Sequence, residues 1–466
     1  MTKLYNMSSP DKPTKIIAPP LNIAGIDIDV ESVKDAMLYI NHNTGHDMVD
    51  RQIDEFILST HSDGYVESKQ LEYSGRSYVG WAHSLMTVCE KYYEVEKVCS
   101  YNGRGTAEAN PVYLDEKVRS RDGTEKIIKV PHRQTRFLRH REDGHPLVLY
   151  FYPYDMYEID CRVYFSTNSN YNHVEFMDEV SNHFKTEGIY KNAVINADYT
   201  FLEVPKMDWD DIVLTKDQQA MIDRHAINFL DRLDDYKELG MRTSRGLLLL
   251  GPPGTGKTLC CSILINLCKE CTIVYVSRNA IQERGQIDEI YGLARKLAPS
   301  LVVVEDIDTL GGIDREQGDH PLLGEFLNCL AGVEKNEGVI TLATTNYANH
   351  LDWALADRPG RFDIRVNFDH PDVAARALIL EKYLDKCRTD ALDLKSMVKK
   401  TDGWSGAYLR ELVNIAIMLS ADQDKIITQD IFDQAHKELT EMRTMIAKER
   451  GRSRKEDKSE TDIFYG

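Results

Sequence analysis

"RGLLLLGPPGTGKT", from Arg245 to Thr258, decides how the rest of the chain is read. An apolar run that suits a buried strand stops at a glycine-rich turn, and the turn opens a helix. Within it, Gly251, Pro252, Pro253, Gly254, Thr255, Gly256, Lys257 and Thr258 fit G-x-x-x-x-G-K-[ST] in full. Glycines there let backbone N–H groups wrap phosphates with no Cβ in the way. Lys257 would supply positive charge to the β- and γ-phosphates, and the Thr258 hydroxyl would bind Mg²⁺. The expectation is a nucleotide site on an α/β P-loop domain.

Outward from this stretch, strands and helices alternate: "TIVYVS", a helix, "SLVVVED", a helix, "GVITLATTN". That order predicts a parallel sheet with flanking crossover helices over residues 206–372. After residue 372 only helical periods follow, predicting a helical lid over 373–448.

"LVVVEDIDTL", Leu301 to Leu310, places two acids after a buried strand. The first acid lies nearest the phosphate loop, so Glu305 is expected to hold Mg²⁺ together with Thr258. The second, Asp306, is expected to polarise the attacking water. The usual order is Asp then Glu, and the shorter base predicts slower hydrolysis unless the water shifts as well. Asp308 reads as a helix N-cap. Asn346 ends the next apolar strand, within reach of a γ-phosphate or the attacking water. Arg358 and Arg361 flank a Pro-Gly turn in "ALADRPGRFD", where two rigidly held guanidiniums suit phosphate better than a core.

Before this domain, residues 25–205 form an α+β region. Helical periods such as "RQIDEFILST" give way near Pro111 to strands, with a hairpin centred on Asp122-Gly123. Residues 1–24 and 449–466 read as a flexible start and a disordered tail. A net charge of −18 makes the whole molecule repel nucleic acid and anionic membranes. Nine scattered cysteines fit a reducing cytoplasm, and the lone C-K-E-C of Cys268 and Cys271 reads as buried thiols. No apolar run approaches the length of a membrane span, so a soluble protein is expected. Between Lys117 and Arg141, nine Lys/Arg stand against Asp122 and Glu125, a candidate local contact for nucleic acid.

These motifs together resemble the AAA family of ring-forming ATPases across Asp211 to Arg443, in "WDDIVL", "GPPGTGKT", "LLGEFLNCLAGV", "RPGRFD" and "TDGWSGAYLRELVNIA". The resemblance implies ATP and Mg²⁺ at a subunit junction, in a homo-oligomeric ring, hexamer or heptamer. It implies arginine fingers at Arg358 and Arg361, a sensor at Asn346, and a lid motif at Gly406 and Ala407 near adenine and ribose. It also implies a remodelled protein client recruited by the N-terminal region. The reversed acids and "LLGEFLNCLAGV" are similar to the subgroup of the mitochondrial chaperone for the Rieske iron–sulfur protein. The aromatic pore tripeptide of threading relatives is missing, with Ile281 to Gly285 the nearest stand-in. The ending Phe464-Tyr465-Gly466 resembles a peptidase-docking tail. Alternative readings are a nucleic-acid motor or loader, and an ATP-gated scaffold that hydrolyses weakly.

Overall fold

A computed structural model describes residues 21–23, 26–28, 47–59, 66–70, 77–101, 108–153, 159–166, 173–277, 280–281, 285–307, 321–331, 336–346, 361–421 and 425–445. The chain divides into two compact units, Met1–Glu203 and Val204–Gly466. The expected boundary after residue 205 lies two residues beyond that division.

In the first unit, β1 (Leu21–Ile23) and β2 (Ile26–Ile28) form an antiparallel pair. The expected flexible start therefore contains strand β1, while residues 1–20 lie outside the described set. A larger sheet follows. Its members are β3 (Val66–Gln70), β4 (Tyr93–Tyr101), β5 (Glu108–Ala109), β6 (Val112–Arg119), β7 (Glu125–His140), β8 (Pro146–Pro153) and β9 (Ile159–Ser166), in the order β3-β9-β8-β7-β4-β5 with β6 on β7.

Helix α1 (Asp47–Leu58) carries Val49, Ile53 and Ile57 four residues apart, a stripe that packs on Phe137 and Val148. Leu138 and Leu147 oppose each other one residue along, so they face the other side of the sheet, and both are buried. Helices α2 (Tyr78–Tyr92) and α3 (His173–Thr186) cover that side, with Tyr78 edge-on to Phe151 and Trp81 stacked on Phe184 at 4.1 Å. A three-residue strand, β10 (Val194–Asn196), ends the unit.

One sequence expectation needs correction here. Residues 25–100 are not purely helical, because β3 and β4 lie among them. The β4–β7 register shifts between Val95 and Lys97, and this bulge breaks the two-residue alternation that would have marked β4 as a strand. The hairpin at Asp122-Gly123 does form, as a loop between Arg119 and Glu125 closed by Ser120 N–H donating to Thr124 O.

In the second unit, helix α4 (Lys216–Ile222) precedes five mutually parallel strands: β11 (Arg245–Leu250), β12 (Thr272–Val276), β13 (Ser300–Val304), β14 (Val339–Thr345) and β15 (Ile364–Asn367). They lie side by side as β12-β13-β14-β11-β15. Helices α5 (Lys257–Leu267), α6 (Gln286–Lys296) and α7 (Pro321–Ala331) make the crossovers. Every residue of β13 and β14 is buried, which is why these strands read as unbroken apolar runs. Successive strands run outward and then back toward β11, so the carboxyl ends of β11, β13 and β14 face one crevice, where ligands bind in such sheets.

The lid comprises α8 (Val373–Leu384), α9 (Leu394–Lys400), α10 (Gly406–Ser420) and α11 (429–445). Leu380, Met397, Trp404, Leu412 and Phe432 form its core. Asp372, Asp393 and Ser405 cap α8, α9 and α10 by accepting from backbone N–H groups one turn on. The lid is not purely helical: β16 (Arg388–Thr389) and β17 (Ile426–Ile427) pair in parallel. Two residues are too few to produce a strand period. Among the described residues no helix is long and apolar enough to cross a membrane.

Candidate nucleotide-binding site

The phosphate loop leaves β11 and turns into α5. Gly251 has φ +149°, and a Cβ there would lie 2.1 Å from Phe368 O. Gly254 has φ +77°, and a Cβ there would lie 2.8 Å from Ala407 Cβ and 2.9 Å from Ser405 Oγ. The glycine is therefore required by the lid as well as by the turn. Ala407 N–H donates to Gly254 O at 3.0 Å, and Gly406 sits beside the same carbonyl. The lid residues expected near the nucleotide thus meet the phosphate loop directly. Gly254→Ala would combine left-handed strain of about 1–2 kcal/mol with this overlap. It should weaken ATP binding about tenfold or more, measured by calorimetric titration.

Lys257 is buried and donates from Nζ to Gly251 O at 2.7 Å and Pro252 O at 2.8 Å. An ammonium this deeply placed is tolerated because the loop's own carbonyls solvate it, and anionic phosphate would complete that role. Thr255 Oγ1 donates to Pro252 O at 2.9 Å, tying the turn to itself. Thr258 follows in the first turn of α5 and is exposed. The positive end of that helix faces the loop. Pro253 is exposed on the loop and Gly256 forms the N-cap of α5.

Glu305 and Asp306 leave β13 at the same edge. Glu305 N–H donates to Val276 O, continuing the pairing with β12. Its Oε1 is buried without a hydrogen-bond partner. A dehydrated carboxylate oxygen is costly unless a cation or donor meets it. This is the observation that fits Mg²⁺, with Thr258 as the companion oxygen ligand.

Asp306 takes φ +46°, a left-handed conformation that Asp tolerates better than most residues. Its N–H donates to Thr344 Oγ1 at 3.0 Å, and its Oδ1 accepts from Asn346 Nδ2 at 2.9 Å. The structure therefore brings the expected base and the expected sensor into contact.

Two features of the site had escaped the sequence reading. Tyr275, next to last in β12, lies beside the Glu305 carboxylate, and burial followed by that carboxylate pushes its phenol well above the usual range. Tyr275→Phe should leave the fold intact and raise the Mg²⁺ concentration for half-maximal turnover severalfold, measured by Mg²⁺ titration of phosphate release.

The second feature is a cavity of ≈ 400 Å³ between the chain around Trp209, Ile212 and Val213 and the α8 residues Leu378 and Lys382. Ile212 touches both this cavity and the phosphate loop, since a Cβ on Gly256 would lie 3.1 Å from Ile212 Cδ1. The cavity's lining is mixed, with Gln219, Glu381 and Asp385 beside the apolar residues, and a pocket of that kind next to a phosphate cradle can take a nucleobase.

Arg361 is 7% exposed and immediately precedes the segment leading to β15. The chain there crosses β11 so closely that a Cβ on Gly246 would lie 1.8 Å from Arg361 O. Arg358 and Asp308 lie outside the described residues, as does Phe464-Tyr465-Gly466. Of the stand-in stretch Ile281 to Gly285, Ile281 is buried, and residues 282–284 lie outside the described residues. Cys268 and Cys271 are buried, and Cys271 Sγ donates to Cys268 O.

In the basic run 117–141, Lys117 and Arg119 both pair with Glu125, and Arg119 also pairs with Glu203. Arg139 pairs with Glu96 and lies over the Phe56 ring, while Arg136 lies over Tyr113. Three of the nine cations of the run are thus paired with carboxylates of the same unit.

Comparison with known proteins agrees with this geometry. Residues 247–370 match the ATPase family associated with various cellular activities (AAA). The chain is 32% identical over 240 residues to the ATP-dependent zinc metalloprotease YME1 homolog of Caenorhabditis elegans, covering 48% of this chain and 32% of that protein. It is 34% identical over 256 residues to ATP-dependent zinc metalloprotease FTSH 1, chloroplastic, of Oryza sativa subsp. japonica, covering 50% and 36%. With ATP-dependent zinc metalloprotease FtsH of Bacillus subtilis it shares 34% identity over 233 residues, covering 45% and 34%. The chain spans about a third of the length of these curated relatives. The finer likeness to the Rieske-protein chaperone subgroup rests on the Glu305-Asp306 order and its flanking motifs alone.

Proposed function

Residues 247–370 form an AAA ATPase domain, and on that premise we propose that the chain hydrolyses ATP to remodel a protein client. The single observation carrying the proposal is the convergence, at one sheet edge, of a buried Lys257, an unpaired Glu305 oxygen and the Asp306–Asn346 pair. Lys257 and the α5 N-terminus bind the phosphates. Asp306 accepts the proton of the attacking water, and Asn346 holds the Asp306 carboxylate in place. Mg²⁺, held by Thr258 and Glu305 when bound, would neutralise charge on the phosphates. The lid meets the phosphate loop at Gly254, so lid position and phosphate binding are coupled.

A homo-oligomeric ring belongs to the proposal, with Arg358 and Arg361 supplied to the neighbouring subunit's ATP. Arg361 is buried in its own subunit, so in that ring it must either swing out or hold the loop that carries Arg358. The first unit, with its own core, is the proposed receiver of the client. All nine cysteines are free, which supports work in a reducing compartment such as the cytoplasm.

Phosphate release tests the proposal, measured with Mg²⁺ or with EDTA, alone or with a partially unfolded protein. The expected result is Mg²⁺-dependent turnover that rises severalfold with the unfolded protein. Release no greater than in EDTA would overturn the hydrolysis reading. Release indifferent to any unfolded protein would overturn the client reading.

A further inference from the structure

The turn joining β7 to β8 reads "HREDGH", His140 to His145, and plays no part in the nucleotide site. Arg139 pairs with Pro146 in the β7–β8 ladder, so His140 and His145 stand opposite each other at its end. His140 N–H donates to His145 O, and Gly144, at φ +71°, donates back to His140 O. Opposed residues on antiparallel strands project to the same face. The two imidazoles accordingly stack, with centroids 4.5 Å apart. Asp143 lies across both rings: its Oδ1 is 2.8 Å from His140 Nδ1 and 2.6 Å from His145 Nδ1.

We propose that this turn is a divalent transition-metal site, for Zn²⁺ or an ion of similar imidazole preference, with His140 Nδ1, Asp143 Oδ1 and His145 Nδ1 as ligands. The three atoms lie within 4.8 Å of one another. Two imidazoles and one carboxylate form a donor set that suits Zn²⁺ and leaves a fourth position for water. Metal–ligand distances of about 2.0–2.2 Å require the oxygen to retreat from the nitrogens by roughly half an ångström. Asp143, whose side chain is 57% exposed, has room to do so, whereas the His145 side chain is 4% exposed and stays fixed.

A second, independent feature is the partner of His145 on its far side. The Tyr93 hydroxyl lies 2.8 Å from His145 Nε2, and Tyr93 is itself buried. Zinc-bound histidines usually donate their other ring N–H to an oxygen, which fixes the tautomer. A phenol serves both states of the site. Without metal, the Nδ1 proton goes to Asp143 and Tyr93 donates to Nε2. With metal on Nδ1, the ring proton sits on Nε2 and Tyr93 accepts it. Each state gives both ring nitrogens of His145 a partner, so the ion can enter without reorienting that ring. Tyr93 also meets both imidazoles edge-on, at 5.3 and 5.4 Å, which holds the pair in orientation.

The test uses the full chain without an oligohistidine tag, dialysed against EDTA and then titrated with ZnCl₂ by calorimetry and with CoCl₂ by visible absorption. The expected result is one Zn²⁺ per chain, a raised melting temperature, and a tetrahedral-type Co²⁺ spectrum. Asp143→Asn keeps an oxygen for the imidazole N–H groups, so the turn should survive while metal affinity falls at least tenfold. His140→Gln should fall similarly. Far-ultraviolet circular dichroism of each variant checks that the unit remains folded. Binding that is absent in the wild type, or equally tight in both folded variants, would overturn the site.

Discussion

Asp306→Asn should bind ATP about as tightly as the wild type and turn it over roughly two to four orders of magnitude more slowly, the usual contribution of a positioned general base. The substitution is close to isosteric. The amide oxygen of the new side chain can still accept from Asn346 Nδ2, which in the wild type meets Asp306 Oδ1 at 2.9 Å. Asparagine also tolerates the left-handed backbone at this position, where φ is +46°. Fold, phosphate loop and sensor contact are therefore retained, and only proton acceptance is lost. Titration with a fluorescent ATP analogue, beside single-turnover phosphate release, measures the two quantities separately. Glu305→Gln, by contrast, should act through Mg²⁺ and raise its half-saturating concentration. If Glu305→Gln instead bound ATP normally and stalled, while Asp306→Asn lost its Mg²⁺ response, the two acids would have the opposite roles.

Lys257→Ala should remove nucleotide binding rather than slow a later step. Its ammonium is buried, with the loop carbonyls Gly251 O and Pro252 O as neighbours. Phosphates entering that cradle would meet carbonyl dipoles with no cation between them. Loss of one or two charge-assisted hydrogen bonds, at about 1.5–3 kcal/mol each, corresponds to roughly one to four orders of magnitude in Kd. Without nucleotide the variant should melt near the wild type, because it removes a buried charge along with its contacts. The ATP-induced rise in melting temperature should vanish. A variant that kept that rise would show that phosphate binding does not depend on this lysine.

Those parts of the site governed by local backbone demands were legible in the sequence. Gly251 and Gly254 need conformations and clearances that other residues resist, so the loop announces itself in eight consecutive residues. The strands β13 and β14 are buried along their whole length, and that burial wrote unbroken apolar runs ending at Glu305 and Asn346. What depended on distant partners was not legible. Tyr275 gains its role only because β12 lies beside β13. The cavity joins Ile212 to Leu378, far apart in the chain, and neither stretch alone shows that the two meet. Strand β4 was concealed by its bulge. In the basic run, the pairing of Lys117, Arg119 and Arg139 with Glu125, Glu203 and Glu96 joins residues from different strands and loops, so the sequence alone did not show it. The His140–Asp143–His145 turn went unread for a similar reason: Tyr93, which holds His145, lies on another strand.

A hydrolytic ATP site completed by a neighbouring copy of the chain makes turnover depend on assembly. The decisive experiment follows turnover per subunit across protein concentration, with mass measured at each point in saturating ATP. The expected result is turnover that climbs together with the population of a closed ring and reaches a plateau when assembly is complete. A constant turnover per subunit from monomer to ring would refute the shared site, and a fully formed ring with no turnover would refute hydrolysis itself.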